Sequence, residues 1–338
     1  MLRWGILGTS YISSVVANAI QASPDSEIRA VFGRDASRLQ TFASRFSITI
    51  TYTAIDQLLN DTTVDIVYIG LPSHKHAEVV IAAAAKGKAI LSEKSLATTM
   101  IDAHAMIAAV RNYNVLFVEG LMYLSHPLIS KAMEIIRGGR LGVVKSVSGH
   151  YSVDIVRNAN PLGMGTIYNL GCYAVSLLHL VIETAYGPGS FGARSISGQG
   201  NLAHDDGVTH VRDAAVSARF DAGVLATIQS TDSFGNDFSF VVQGDRGKLR
   251  FETNPWAPRI GESILHLEIY KKFGGQTDRI VVESDLDAFG HQVKMIERCV
   301  KDNTVEAPHP SPTWDSSLEI MSFLTDWESD IIARVRGQ

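Results

Sequence analysis

In the run Gly5-Ile6-Leu7-Gly8-Thr9-Ser10-Tyr11-Ile12-Ser13, a glycine sits where a short apolar stretch gives way to a helical one. Gly8 can take a tight turn. The amides of Thr9, Ser10, Tyr11 and Ile12 would then open a helix whose unpaired N–H groups and positive dipole end suit a pyrophosphate. Ser10 and Ser13 occupy the second and third places of the three-glycine fingerprint, so the pattern is partial, and an ordinary strand-to-helix turn would carry the same residues. In Phe32-Gly33-Arg34-Asp35, Gly33 lies 25 residues after Gly8. An acidic side chain there would hold the ribose hydroxyls of NAD, and Gly33 offers none. Arg34, with Arg38 one helical turn on, instead places guanidinium forks where a 2′-phosphate would sit. NADP is thus the expected cofactor and NAD the alternative; in a blander reading Arg34 is a solvated loop residue and Asp35 only a helix cap.

Two further groups could do proton chemistry. The run Ala89 to Glu93-Lys94 is a strand with adjacent charges at its carboxyl end, the edge where ligands gather in open parallel sheets. A lysine there can bond a substrate hydroxyl and favour an ionised neighbour, although such a pair also occurs on solvated strand ends. Asn169 and Tyr173 are four apart on a predicted helix and share a face, with Ser176 a turn further on. A phenol is a poor base at neutral pH unless a nearby cation favours phenolate. His179, six residues past Tyr173, falls on roughly the opposite face and reads as a packed or solvated helix histidine. His204-Asp205-Asp206 with His210 has the residue types of a metal site but lacks helical spacing, so it reads as a polar loop and no metal is expected. Trp256, between Pro255 and Pro258, is expected to cap a turn in a sheet.

The elements that position these residues follow from periodicity. Strands at 4–7, 27–32, 48–52, 64–71, 89–92 and 115–119 alternate with helices at 13–22, 37–46, 54–60, 75–86 and 100–112, as a doubly wound parallel sheet requires. Later come a helix at 127–138, a strand at 143–153 and a helix at about 167–182. Strands at 214–220, 224–230, 238–243, 248–252 and 265–270 then succeed one another through glycine-containing turns, and two amphipathic helices close the chain. The predicted fold is α/β: an N-terminal Rossmann-type parallel sheet over 1–122, then an α+β substrate and oligomerisation domain over 123–338 with a large, mostly antiparallel open sheet.

Composition narrows the function. The chain has 338 residues, 46% of them hydrophobic and 19% charged, enough for two packed cores. A net charge of -5 without a basic block disfavours nucleic acid and anionic membranes as partners. Two cysteines far apart suit a reducing compartment, the opening residues do not read as a secretion signal, and apolar runs such as Val79–Ala85 are too short to cross a bilayer. A cytoplasmic protein is expected.

The chain resembles the Gfo/Idh/MocA oxidoreductases over nearly its whole length. The resemblance lies in Trp4-Gly5-Ile6-Leu7-Gly8-Thr9, in the P-x-x-x-H loop Pro72-Ser73-His74-Lys75-His76, and in Gly87-Lys88-Ala89-Ile90-Leu91-Ser92-Glu93-Lys94. Ile12-Ser13-Ser14, Gly33-Arg34-Asp35 and Asn254-Pro255-Trp256 are closest in texture to dimeric dihydrodiol dehydrogenases and NADP-dependent D-xylose dehydrogenases. A family D-I-G-x-Y segment aligns with Asn169-Leu170-Gly171-Cys172-Tyr173. The resemblance implies that Lys94 and Tyr173 act at the nicotinamide, Tyr173 as acid/base assisted by Lys94, with Asn169 beside them. It also implies that Leu71, Pro72, His74, His76, Glu93 and Lys94 contribute to the cofactor site.

Three departures from the pattern bear on the site. Ser95 replaces a proline, Asn169 replaces an aspartate, and Met122 and Leu124 replace a tryptophan and an arginine near Tyr123 and His126, which are candidates to line the substrate pocket. The expected function is NAD(P)-dependent hydride transfer to or from a sugar, cyclitol or diol carbon. A non-catalytic dinucleotide sensor of the same fold is the alternative. A sheet with one open face implies a homodimer or homotetramer.

Overall fold

Near-continuous apolar runs make the strands of the first sheet, as expected for strands covered on both faces. They are β1 (Leu2–Leu7), β2 (Ser26–Phe32), β3 (Ile50–Tyr52), β4 (Ile66–Ile69), β5 (Ala89–Glu93) and β6 (Phe117–Gly120), all parallel, in the order β3-β2-β1-β4-β5-β6. Helices α1 (Tyr11–Ala22), α2 (Ala36–Arg45), α3 (Ile55–Leu59), α4 (His76–Ala85) and α5 (Met100–Tyr113) join them. Side chains at the N-caps start three of these helices, Ser10 for α1, Asp35 for α2 and Thr99 for α5, each accepting a first-turn amide. The strand order reverses between β1 and β4, which opens a crevice at their carboxyl ends. The computed structural model describes residues 1–155, 161–271 and 275–336.

The second sheet comprises β7 (Val144–Val153), β8 (Arg194–Asp205), β9 (Val208–Phe220), β10 (Leu225–Thr231), β11 (Asn236–Gly244), β12 (Gly247–Phe251), β13 (Gly261–Tyr270) and β14 (Gly275–Ser284). Its order is β14-β13-β12-β11-β7-β10-β9-β8, antiparallel except for the β7–β10 pair. Helices α6 (Pro127–Arg137), α7 (Cys172–Tyr186), α8 (Ala288–Lys301) and α9 (Trp314–Arg336) complete the chain, with a π-helical turn, Ile167–Gly171, leading into α7. The fold is therefore a Rossmann-type parallel sheet followed by a mixed, mostly antiparallel one.

Packing divides the chain into two units, Met1–Met122 with Ala288–Leu318, and Tyr123–Asp287 with Glu319–Gln338. Val293 and Ile296 of α8 belong to the same core as Trp4, Ile6, Tyr68 and Leu91, so a late helix closes the first unit. Strands β8 and β14, absent from the sequence reading, are the two edges of the second sheet. Their polar, glycine-containing sequences suit an edge, with Ile280-Val281-Val282 of β14 too short a run to mark a strand alone. The His204-Asp205-Asp206 region is no loop: Asp206 and Gly207 have φ of 50° and 79° and form the two-residue turn of the β8–β9 hairpin. Asp205 pairs there with Arg212 and approaches His210. The run Ile167–Tyr186 is long and apolar enough to cross a membrane by composition, which a search for uninterrupted apolar stretches overlooks, and it lies mostly buried.

Packing leaves no room for a side chain where β4 ends. A Cβ on Gly70 would lie 2.4 Å from Ser13 Oγ and 2.7 Å from Tyr68 Cε1. Gly70→Ala is expected to destabilise the protein by about 1–3 kcal/mol through overpacking, with Ser13→Gly restoring part of the loss in the double variant. Urea midpoints of the three variants test this, and an unchanged midpoint in Gly70→Ala would show that the contact is not tight.

Candidate functional site

Within the first unit, the carboxyl ends of β1, β2 and β4 enclose a cavity of about 540 Å³. Gly8, Thr9, Ser10, Gly33, Arg34, Arg38, Leu71 and Pro72, all singled out from sequence, line it together with Phe32, Asp35 and Gly70. Gly8 has φ of 116°, and a Cβ there would lie 2.8 Å from the Gly70 carbonyl oxygen, so only glycine fits. Ser10 Oγ accepts from the Ser13 amide at 3.2 Å and lies 2.9 Å from Ser13 Oγ. The amides of Tyr11 and Ile12 remain at the open first turn, where no earlier carbonyl of the helix can accept them. Neither of these two side chains lines the cavity, and Tyr11 points into solvent.

Charge at the rim is mostly positive. Arg34 and Arg38 are exposed there, while Asp35 turns its carboxylate to the Arg38 amide at 2.8 Å as the cap of α2. His74 lies nearby in an exposed turn. Partial burial, then the charges of Lys75 and Arg34, hold its imidazole below the ordinary range. The residues present fit a dinucleotide: a side-chain-free approach at Gly8, open helix amides, and guanidinium groups in place of a ribose-binding acid.

His76 and Glu93, expected at the cofactor surface, are instead enclosed behind it. His76 is fully buried, with Nε2 2.9 Å from the Leu71 carbonyl and Nδ1 3.0 Å from the Ser95 carbonyl and 3.3 Å from that of Leu96. It bridges the loop after β4 to the loop that follows Lys94, and burial holds its ring below the usual range. Glu93 accepts from Tyr68 Oη at 3.0 Å, and burial pushes its carboxyl up. Lys94 itself is half-buried, and the Lys94–Ser95 peptide is cis. Lys88, the other lysine of the same signature, donates to the carbonyls of Asp61 and Val64, both at 2.7 Å, and anchors the opposite end of β5.

Glu119, on β6 beside Ser92 of β5, was not legible from sequence. It is 3% exposed, and its Oε2 has no hydrogen-bond partner. Burial, partly offset by hydrogen bonds from Ser317 and the Leu96 amide, raises its carboxyl to about 7.

In the second unit, Asn169 and Tyr173 are the two residues between 165 and 182 that are not buried. They mark one opening in an otherwise enclosed helix. Tyr173 is flanked by the rings of Tyr151 (centroids 5.8 Å apart) and Tyr123 (6.0 Å), and Tyr151 packs on buried Trp256 at 4.7 Å. Tyr123 and His126, expected to line the substrate pocket, are both fully buried. Tyr123 Oη lies 2.8 Å from Ser176 Oγ and donates to the Tyr173 carbonyl at 3.2 Å, while His126 Nδ1 accepts the Leu128 amide at the start of α6. They support the helix beneath Tyr173. Asn169 Nδ2 donates to Asp232 Oδ2 at 2.9 Å, a partner that sequence spacing does not suggest. His179 is buried against Phe191, with Nε2 2.7 Å from Glu319. Glu183 lies close by but accepts the amides of Gly189 and Phe191, which commits it to the turn after α7.

A buried acid whose folded-state value is raised binds its proton more tightly in the native than in the unfolded chain. Its effect on stability is therefore nil below about pH 4.5, turns destabilising as the pH climbs to about 7, and levels off above that. Glu119→Gln should remove this term, so its melting temperature gains on the wild type between pH 5 and 7 and keeps the gain at pH 8. Parallel melting curves for the two proteins would refute the shift.

Residues 2–121 match the family described as "Oxidoreductase family, NAD-binding Rossmann fold", and residues 129–250 match the "GFO/IDH/MocA C-terminal domain". The chain is 32% identical over 322 residues to D-xylose 1-dehydrogenase (NADP(+)) 2 of Haloferax volcanii, covering 91% of each chain. It is 24% identical over 315 residues to trans-1,2-dihydrobenzene-1,2-diol dehydrogenase of Xenopus tropicalis, covering 90% of this chain and 91% of the relative. Its fold is similar to that of KijD10, a 3-ketoreductase from Actinomadura kijaniata solved in complex with NADP, with a TM-score of 0.80, 21% identity, and coverage of 98% of this chain and 97% of that one. With these matches spanning both sheets, the chain belongs to the Gfo/Idh/MocA family, as an oxidoreductase with an NAD(P)-binding Rossmann domain.

Proposed function

We propose that this protein is an NADP-preferring dehydrogenase or reductase acting on a hydroxyl-bearing carbon of a sugar, cyclitol or diol. The observation that carries the cofactor preference is the cavity rim, where Arg34 and Arg38 are exposed and the one carboxylate, Asp35, is tied to a backbone amide. A 2′-phosphate gains from two guanidinium groups, and a ribose diol finds no acid that is not already engaged in capping α2. The relatives named for D-xylose and for a dihydrodiol support the substrate class.

When bound, NADP gives or takes a hydride at C4 of its nicotinamide. The backbone at Gly8 and the first-turn amides of α1 hold the pyrophosphate. Tyr173 Oη takes the hydroxyl proton on oxidation and returns it on reduction, and the Lys94 ammonium supplies the positive charge that favours phenolate. His76 acts indirectly by fixing the backbone around Lys94. In the same reading the chain works in the cytoplasm as a homodimer or homotetramer that covers the exposed face of β10, on which Leu225 is left uncovered.

Calorimetric titration with NADPH and NADH tests the cofactor. Arg34→Ala is expected to weaken NADPH about tenfold or more, with NADH changed less than about threefold. Equal weakening of both would sink the 2′-phosphate assignment. Lys94→Ala should cut kcat on a turned-over polyol by about 100-fold or more while NADPH still binds, and retained turnover would remove Lys94 from the chemistry. Binding of NADPH with no turnover of any polyol or aldose by the wild type would favour a dinucleotide sensor.

A further inference from the structure

Asp232 follows β10 directly and is 2% exposed. Burial pushes its carboxyl up, against the pull of Asn169, His210 and Arg212, with Asp213 adding to the rise. One oxygen, Oδ2, accepts from Asn169 Nδ2 at 2.9 Å; the other, Oδ1, has no hydrogen-bond partner. A buried carboxylate with a lone oxygen is costly, and core packing alone gives no reason to keep it.

The segment carrying Asn169 is held against the same strands by independent contacts. Thr166 Oγ1 and Ser230 Oγ lie 2.8 Å apart, and Ser230 Oγ also donates to the Thr166 carbonyl at 3.2 Å. Gly165 bridges to Val211 with φ of 79°, where a Cβ would lie 2.1 Å from the Val211 carbonyl oxygen. The backbone at Asn169 is thus held by contacts other than Asp232, and the bond to Asp232 acts on the side chain.

An amide is nearly symmetrical in shape, whereas a carboxylate only accepts, so Asp232 forces the nitrogen of Asn169 inward. Asn169 is partly exposed, and its oxygen lies on the side of Gly163, 3.5 Å from where a Cβ on that residue would be. We propose that Asp232 is a positioning residue for substrate: it clamps the Asn169 amide so that the acceptor end, Oδ1, meets a hydroxyl on the carbon next to the one being oxidised or reduced. The clamp selects for substrates with a donor at that neighbouring position, a vicinal diol unit, over deoxy analogues. This inference rests on the proposed role of Tyr173, one turn further along the same helix.

The test uses Asp232→Asn, Asn169→Asp and the double variant, assayed with NADP. The probes are D-xylose against 2-deoxy-D-xylose, and trans-cyclohexane-1,2-diol against cyclohexanol. Wild type should favour the hydroxylated member of whichever pair it turns over. Asp232→Asn lets the Asn169 amide turn over, so that preference in kcat/KM should fall about tenfold, mainly through KM. Asn169→Asp sets two carboxylates at hydrogen-bonding distance, so they share a proton and the activity optimum moves to lower pH. The double variant restores an amide–carboxylate pair with the roles exchanged and keeps an acceptor at position 169. Its preference and pH profile should return to within about threefold of wild type. Melting curves and NADPH titrations on every variant show which are folded, and the double variant carries the test if Asp232→Asn is not. A folded Asp232→Asn protein with unchanged preference and pH profile overturns the inference, as does a double variant no better than the worse single one. A wild type that turns over no polyol or aldose, these pairs included, overturns the proposed function itself, and the inference falls with it.

Discussion

The close approach of backbone to backbone at Gly8 and Gly70 is the constraint on which the first unit's site depends. These residues follow β1 and β4, the two strands between which the sheet changes direction, and a ligand crevice opens only if neither chain end carries a side chain into it. Gly8 meets the carbonyl of Gly70, and Gly70 leaves room for the hydroxyl of Ser13. The incomplete glycine fingerprint follows from this arrangement. A third glycine would normally let the helix pack closely on the strands, and here the missing atoms are taken from β4's exit instead of from α1. Ser10 is accommodated in another way, by turning its hydroxyl to cap the helix that it begins.

Around that crevice the polar groups sort into two layers. Those at the rim, Arg34, Arg38 and His74, are exposed and carry or can carry positive charge. Those behind it, His76, Glu93 and Glu119, are enclosed, and burial pushes each towards its neutral form. His76 is the link between the layers. Its ring faces only carbonyl oxygens, so a neutral ring donates to one loop and a protonated ring to both. The neutral ring that burial favours therefore bonds one of the two loops and packs against the other, and a protonated ring would join the end of β4, which lines the cavity, to the loop that carries Lys94. Such a residue is legible as part of a motif, yet its work is done out of reach of any ligand.

Sequence revealed what depends on short-range chemistry. The turn at Gly8, the basic pair at Arg34 and Arg38, the alternation of strands and helices, and the shared exposure of Asn169 and Tyr173 all follow from spacings of a few residues. What it did not reveal depends on partners distant in the chain. Ser13 and Gly70 are 57 residues apart, and Asn169 and Asp232 are 63 apart. No local pattern links either pair. Burial was the other blind spot: Tyr123 and His126 have residue types suited to a pocket, but the helix at 167–186 covers Tyr123, and His126 is spent on capping α6. The edge strands β8 and β14 were missed for a related reason, since a polar strand is held by pairing to a neighbour rather than by its own apolar face.

The second unit shows how two polar residues are set in an apolar helix. From Gly165 to Ile182 the chain is buried except at Asn169 and Tyr173, and the π-helical turn at Ile167–Gly171 lies at that opening. A π turn widens the helix by one residue, a feature often associated with function, and here it hands over to a regular helix at Cys172. The two polar side chains are then treated differently. Tyr173 is flanked by the rings of Tyr123 and Tyr151, with Trp256 behind, so packing holds its ring. Asn169 is fixed by a hydrogen bond to a buried carboxylate, so its orientation is set by charge. In the proposed reading, a group that has to offer an acceptor rather than a donor needs an electrostatic reference, and Asp232 is the residue placed to supply it.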